Sequence, residues 1–233
     1  MNTTNKTLLM IRAKAQSVDF VAELMVSNPV IYAPMVDIEP LNVDQVLPSA
    51  ELIIFTSSNA VRIYTGRTQD RSMETICVGS ITARAATKSG FRVLQTFEHA
   101  QDLVEHFRHS LKAKKPIVYP RAETVSLDIA HELKKMGYTI AAPVLYRQSF
   151  QPLSGEGRKK IESSPTVVPV FSREIAKRFH ETLISIKPEN LTLVCISAPV
   201  AAIFNDLSGF SVEIVQKPTR DALIEKIKAC LCA

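Results

Sequence analysis

The amino-acid sequence predicts an α/β fold of two similar lobes, each a mostly parallel sheet flanked by helices. Two observations carry this. Short β-branched runs alternate with segments of helical periodicity along the chain, an order that argues for parallel sheets covered by helices on both faces. The second is self-similarity. Arg12-Ala13, Glu23-Leu24 and Pro34 return 109 positions later as Arg121-Ala122, Glu132-Leu133 and Pro143. Phe55-Thr56 returns as Phe171-Ser172 after 116 positions, and the block Cys77–Ala83 returns as Cys195–Ala201 after 118. Their common order and nearly constant spacing point to a duplicated half. Two such lobes create a crevice, the usual place for a ligand.

The strand candidates, in order, are Leu8–Ile11, Val30–Tyr32, Leu52–Thr56, Thr75–Val78, Phe91–Leu94, Pro116–Tyr119, Thr139–Tyr146, Thr166–Phe171, Leu191–Ser197 and Ser211–Val215. Between them, Leu103, Val104, Phe107 and Leu111 form one helical stripe; Leu127, Ala130 and Leu133 form a second; Leu223, Ile227 and Leu231 form a third. Ser17, Ser58 and Thr219 are placed to cap helix starts, and Gly90, Gly137 and Gly209 to follow helix ends. Pro169 inside a strand run suggests an edge or a bulge.

Composition narrows the function. The 233 residues suffice for two domains of roughly 100 residues each. No run approaches the roughly 18 uninterrupted apolar residues of a membrane span. The four-residue apolar run near the N-terminus is shorter than a secretory signal's core, so a cytoplasmic protein, monomeric and without a membrane partner, is expected. The net charge of +5 suits an anionic partner. The one dense basic run, Lys112–Lys115, lacks interleaved aromatics, and tryptophan is absent, which argues against nucleic acid. Cys77 and Cys195 lie in apolar runs as small hydrophobes, and Cys230-x-Cys232 lacks the partners of a zinc site. His106 and His109 share a solvated helix face with Arg108 and Lys112 nearby.

Three turns release a strand into a helix through small or hydroxyl-bearing residues: Thr56-Ser57-Ser58-Asn59-Ala60, Gly79-Ser80-Ile81-Thr82-Ala83 and Ser197-Ala198-Pro199-Val200-Ala201. Free N–H groups and the positive dipole end of a helix favour an anion at such turns. None is a P-loop, and neither G-x-G-x-x-G nor G-x-S-x-G occurs. Arg12 and Arg121, each just after a strand, can fork onto a carboxylate. Tyr146 ends an apolar strand before Arg147-Gln148, and at a cleft its O–H can donate a proton.

Taken together these residues resemble the uroporphyrinogen-III synthase family nearly end to end. The likeness runs through the strand ending in Arg12, Pro34 with Ile38-Glu39-Pro40, and Ile54–Val61. It continues through Val78–Ala83, Tyr119–Glu123, Gly137 with Pro143–Gln148, Phe171-Ser172 and Pro218-Thr219. The resemblance implies a discontinuous lobe of residues 1–33 and 150–233, a second of 39–142, and two linker strands at 34–38 and 143–149, with the active site in the cleft. It implies hydroxymethylbilane as substrate, a linear tetrapyrrole polycarboxylate closed with inversion of ring D and loss of water. No cofactor or metal is implied. Tyr146 is the matching proton donor. Arg12, Thr56, Ser57, Ser58, Gly79, Ser80, Thr82, Arg121, Glu123, Ser172 and Ser197 are the matching substrate-binding residues.

Departures from the family pattern concentrate in the C-terminal block. Val200 stands where the family has a threonine, Pro199 removes an N–H, and Arg173-Glu174 replaces a small turn. The competing class is a non-catalytic two-lobe module binding a small anion or tetrapyrrole, diverged from that family.

Overall fold

The computed structural model describes residues 6–42, 44–110, 115–186, 188 and 190–232. Leu111 of the first helical stripe and Lys112–Lys114 of the basic run lie outside the described residues. In chain order the elements are β1 (Thr7–Met10), α1 (Lys14–Leu24), β2 (Val30–Tyr32), β3 (Val36–Pro40), β4 (Leu52–Phe55), α2 (Ser58–Thr65), β5 (Glu74–Val78), α3 (Ser80–Lys88), β6 (Arg92–Phe97) and α4 (Ala100–Arg108). There follow β7 (Ile117–Val118), β8 (Arg121–Ala122), α5 (Ile129–Lys135), β9 (Ile140–Ala141), β10 (Val144–Phe150), α6 (Gly155–Ser163) and β11 (Thr166–Val170). The chain closes with α7 (Arg173–Ile186), β12 (Leu191–Cys195), α8 (Ala198–Ala201), a 3-10 turn Ala202–Phe204, β13 (Ser211–Ile214) and α9 (Arg220–Cys232).

Two compact units result, one of Met1–Asp37 with Ser149–Ala233, the other of Ile38–Gln148. Each holds a five-stranded sheet, ordered β13-β12-β11-β1-β2 in the first and β6-β5-β4-β7-β9 in the second. All pairs in both are parallel. The two orders are one pattern. A leading strand (β11 or β4) is extended by two successive strands on one side, and a second pair (β1, β2 or β7, β9) lies on the other. In the first unit the pair β1 and β2, with Arg12 between them, comes first along the chain; in the second the pair β7 and β9, with Arg121 between them, comes last. The sequence repeat shows two offsets because the second copy is longer between its blocks, 50 positions from Arg121 to Phe171 against 43 from Arg12 to Phe55.

The second unit illustrates how the sequence builds these layers. Leu52-Ile53-Ile54-Phe55 is apolar at every position because β4 is central and covered on both faces. Alternation sends Ile53 and Phe55 against Ala60, Val61, Ile63 and Tyr64 of α2 and Ala86 of α3. Leu52 and Ile54 pack on Leu103, Val104 and Phe107 of α4 and Ile129, Ala130 and Leu133 of α5. In the first unit Leu8, Met10, Val167 and Val194 meet Phe20 and Leu24 of α1 and Leu223, Ile227 and Leu231 of α9. A further sheet, ordered β3-β10-β8, pairs β10 with β8 in parallel.

Several expectations need correction. The run Thr139–Tyr146 is two strands in two sheets, β9 and β10, because Pro143 has no N–H to carry a ladder between them. Pro169 is neither at an edge nor at a bulge: β11 is central and pairs with β12 without a register shift. Thr166 and Val170 direct their backbone groups at the β12 side, so Pro169 faces β1, beyond the last pair, Leu8 with Val167. The missing N–H therefore falls where the β1 ladder has already ended and leaves the pairing with β12 whole. Ser17 lies inside α1 and donates to the Arg12 carbonyl. Ser57 rather than Ser58 caps α2, accepting from Asn59 N–H at 3.1 Å. Leu127 precedes α5, and Gly209, though at φ +91°, lies in the loop before β13. Thr219 does cap α9, and Gly90 and Gly137 follow the ends of α3 and α5 at positive φ.

Candidate functional site

The second unit has a switch point between β4 and β7: from β4 the chain moves outward through β5 and β6, then crosses back to begin β7 on the other side. In such sheets the crevice outside the carboxyl ends of the two central strands takes the ligand. The residues leaving those ends are Thr56-Ser57-Ser58 after β4, Tyr119-Pro120-Arg121 after β7 and, one strand over, Gly79-Ser80 after β5. Past β9 the chain enters β10, whose register sets Tyr146 opposite Ala122, and Glu123 N–H donates to the Tyr146 carbonyl at 2.8 Å.

Tyr146 is buried among Phe55, Ala60, Val61 and Ala122. Burial pushes its phenol above the usual 10.0, and hydrogen bonding with Ser57 acts in the opposite sense. It is thus a protonated donor at neutral pH. Ser57 uses an acceptor lone pair for Asn59 N–H, which leaves its own proton available. Thr56 Oγ1 lies 3.4 Å from the hydroxyl of Tyr119. Tyr119 is also buried, and burial raises its phenol in the same way. Tyr119 was not among the residues picked from the sequence. The only available signal was a tyrosine one residue past a strand, and finding it required knowing that the strand borders the switch point.

Gly79 stands at φ +83°, a conformation that favours glycine, and its N–H donates to Phe97 carbonyl at 2.8 Å. It is the residue before α3, with Ser80 exposed and Thr82 buried in the first turn. Arg121 donates through Nη1 to the carbonyls of Ala122 and Glu123, both at 3.0 Å, while its Nε is buried without a hydrogen-bond partner. Glu123 receives a forked grip from Arg147, Nε to Oε2 at 2.8 Å and Nη2 to Oε1 at 3.0 Å. That bond holds the Glu123 carboxyl below its usual range. Arg147 also reaches Glu39 at 3.9 Å, so two carboxylates face its single charge and no net positive charge is left on this trio.

Arg12, Ser172 and Ser197 belong to the other unit, at the carboxyl ends of β1, β11 and β12, three neighbours in its sheet. Arg12 forks onto Gln16 Oε1 at 3.0 and 2.6 Å and stacks over Phe171. Ser172 accepts from Ile175 N–H at 3.4 Å, capping α7, with Arg173 and Glu174 exposed in its first turn. Ser197 precedes α8, whose third residue is buried Val200, where α3 has Thr82. The structure therefore gathers Thr56, Ser57, Tyr119 and Tyr146 around one turn. The hydroxyl inventory of the matching edge in the other unit is poorer.

Burial pushes the thiols of Cys77 and Cys195 up to about 12, which removes them as nucleophiles at neutral pH. Among the described residues no group of three or more His, Cys, Asp and Glu is placed to hold a metal ion, and no helix is long and apolar enough to cross a membrane.

The fold matches solved structures of known proteins. The uroporphyrinogen-III synthetase of Helicobacter pylori 26695 aligns with a TM-score of 0.60 at 14% identity, covering 96% of this chain and 99% of that one. A mutant uroporphyrinogen III synthase from the extremely thermophilic bacterium Thermus thermophilus aligns with a TM-score of 0.54 at 14% identity, covering 97% and 98%. No curated protein matches the sequence itself. The model of the family described as Uroporphyrinogen-III synthase HemD matches residues 28–225, and the chain belongs to that family.

Proposed function

We propose that this protein closes hydroxymethylbilane to uroporphyrinogen III, and that the hydroxyl-rich edge of the second unit does the chemistry. The observation that carries this, in a chain of this family, is the Tyr146 phenol, protonated at neutral pH as phenols are, buried beside the Thr56-Ser57 turn. The substrate expels its hydroxyl, ring D inverts through a spiro intermediate and water is lost. Tyr146 donates the proton that lets the hydroxyl depart. Because the substrate closes unaided to the type I isomer, the enzyme's further task is to hold the chain so that ring D attacks through its substituted carbon, a positioning effect.

In the second unit the substrate's carboxylates are taken up by Arg121, by the hydroxyls of Thr56, Ser57, Ser58, Ser80 and Thr82, and by N–H groups of the turn at Gly79; Arg12, Ser172 and Ser197 are the corresponding carboxylate-binding groups of the first unit. The +5 balance favours such a polyanion. Glu123 acts differently in this reading: as a carboxylate it holds Arg147 rather than the substrate. The protein works as a cytosolic monomer, which sedimentation of the purified chain tests.

The deciding experiment is a coupled assay in which hydroxymethylbilane is generated in the presence of the protein and the isomers are separated. The type III isomer is expected. Type I alone, at the spontaneous rate, identifies a binding module instead.

A further inference from the structure

The tyrosines of the second unit divide by what their hydroxyls meet. Tyr138 donates to the Phe107 carbonyl at 2.9 Å, and Tyr64 points at the Met73 sulfur at 3.9 Å. Both bonds end inside the core. Tyr119 and Tyr146 address successive residues of one turn, Thr56 and Ser57, at the carboxyl end of the strand that opens the switch point. They come from opposite faces of the sheet: Tyr119 packs with Ile54 and Ile129, Tyr146 with Phe55 and Ala60. The β4–β7 ladder, Leu52 with Ile117 and Ile53 with Val118, brings Tyr119 level with this end of β4, and its N–H is fixed by Ala141 carbonyl at 2.8 Å.

We infer that Tyr119 is a positioning residue for the cyclisation, acting through the Thr56 hydroxyl, which it turns toward the substrate beside Tyr146. The inference rests on the function proposed above. A threonine hydroxyl has one proton and two lone pairs. With one of these engaged by Tyr119, the rest of the group faces in a defined direction instead of rotating freely. The separation of 3.4 Å is long for two hydroxyls, and bonds of this kind tighten when substrate is bound. Tyr119 therefore contributes to the transition state more than to substrate uptake.

The test is kinetic. Tyr119→Phe keeps the ring and removes only the hydroxyl; Thr56→Val removes the partner at constant shape. Each is expected to lower kcat for the type III isomer about tenfold, the net worth of one hydrogen bond, with more type I product; KM is expected within twofold of wild type in Tyr119→Phe, while Thr56→Val, which also removes a substrate-binding hydroxyl, raises it. The double variant is expected to be no slower than either single one, and Thr56→Ser to recover most of what Thr56→Val loses. Full kcat in Tyr119→Phe, or losses that multiply in the double variant, overturns the inference while leaving the proposed function intact. A lower melting midpoint with unchanged kcat also overturns it, because that is a purely structural role. Wild type that yields no type III isomer removes both readings at once.

Discussion

The guanidinium of Arg12 lies 4.1 Å from the centre of the Phe171 ring, joining the residues that follow β1 and β11, the two strands flanking the switch point of the first unit. Phe171 in turn meets Phe20 edge-on at 4.9 Å. Burial, with Arg220 nearby, pulls the guanidinium down to about 10, so it remains a cation at neutral pH. A planar, forked cation is needed for both the stack and the two bonds to Gln16.

Arg12→Lys is therefore expected to cost about 1 kcal/mol of stability, the size of one cation–π contact. Denaturant midpoints of the two proteins measure it. Equal midpoints with equal slopes mean that the stack adds nothing.

Tyr146→Phe is expected to lower the rate of type III formation about 100-fold, the lower end of what a general acid contributes. The substrate's own reactivity leaves the remainder. Initial rates with isomer separation give the answer: an unchanged rate contradicts a donor role, and a folded variant with no activity above background contradicts the substrate's own reactivity as the source of the remainder.

Stability is expected to decline on the alkaline side. Cys77 and Cys195 have folded values raised from 9.0 to about 12, so the unfolded chain releases their protons first and is favoured as pH rises, while below that range the folded state holds its full stability. This stabilisation is whole below pH 9 and is lost progressively as pH rises toward 12. The buried phenols of Tyr64, Tyr119 and Tyr146, also raised, add to the decline above pH 10. Urea midpoints at pH 8, 9, 10 and 11 should fall in that order; a flat series to pH 11 rules the account out.

Two glycines of α6 form a controlled pair. A Cβ on Gly157 would sit 2.9 Å from the Ala33 Cβ and 3.0 Å from Leu153, whereas one on Gly155 meets nothing within 4 Å. Gly157→Ala is expected to destabilise by about 1–3 kcal/mol through overpacking. Gly155→Ala is expected to stabilise by up to about 1 kcal/mol, because the unfolded chain loses freedom. Thermal melts of both variants check the difference in sign.

The alternation of strand and helix, the repeated halves and the buried faces of α4, α5 and α9 were legible in the sequence, because burial imposes the 3.6 and 2.0 periods directly on side-chain chemistry. The turns at Thr56–Ser58 and Gly79–Thr82 were legible for a similar reason. A strand that must enter a helix within a few residues needs caps, small side chains or a glycine at positive φ such as Gly79. The pairing order of the strands was beyond the sequence's reach. It depends on contacts between residues far apart along the chain, such as Ile53 with Val118, which leave no local period. That order decided that Pro169 lies in a central strand, that the strands on either side of Pro143 join different sheets, and that Tyr119 shares a turn with Tyr146. Each of these depends on which neighbour a backbone group faces, and only the assembled sheet settles that.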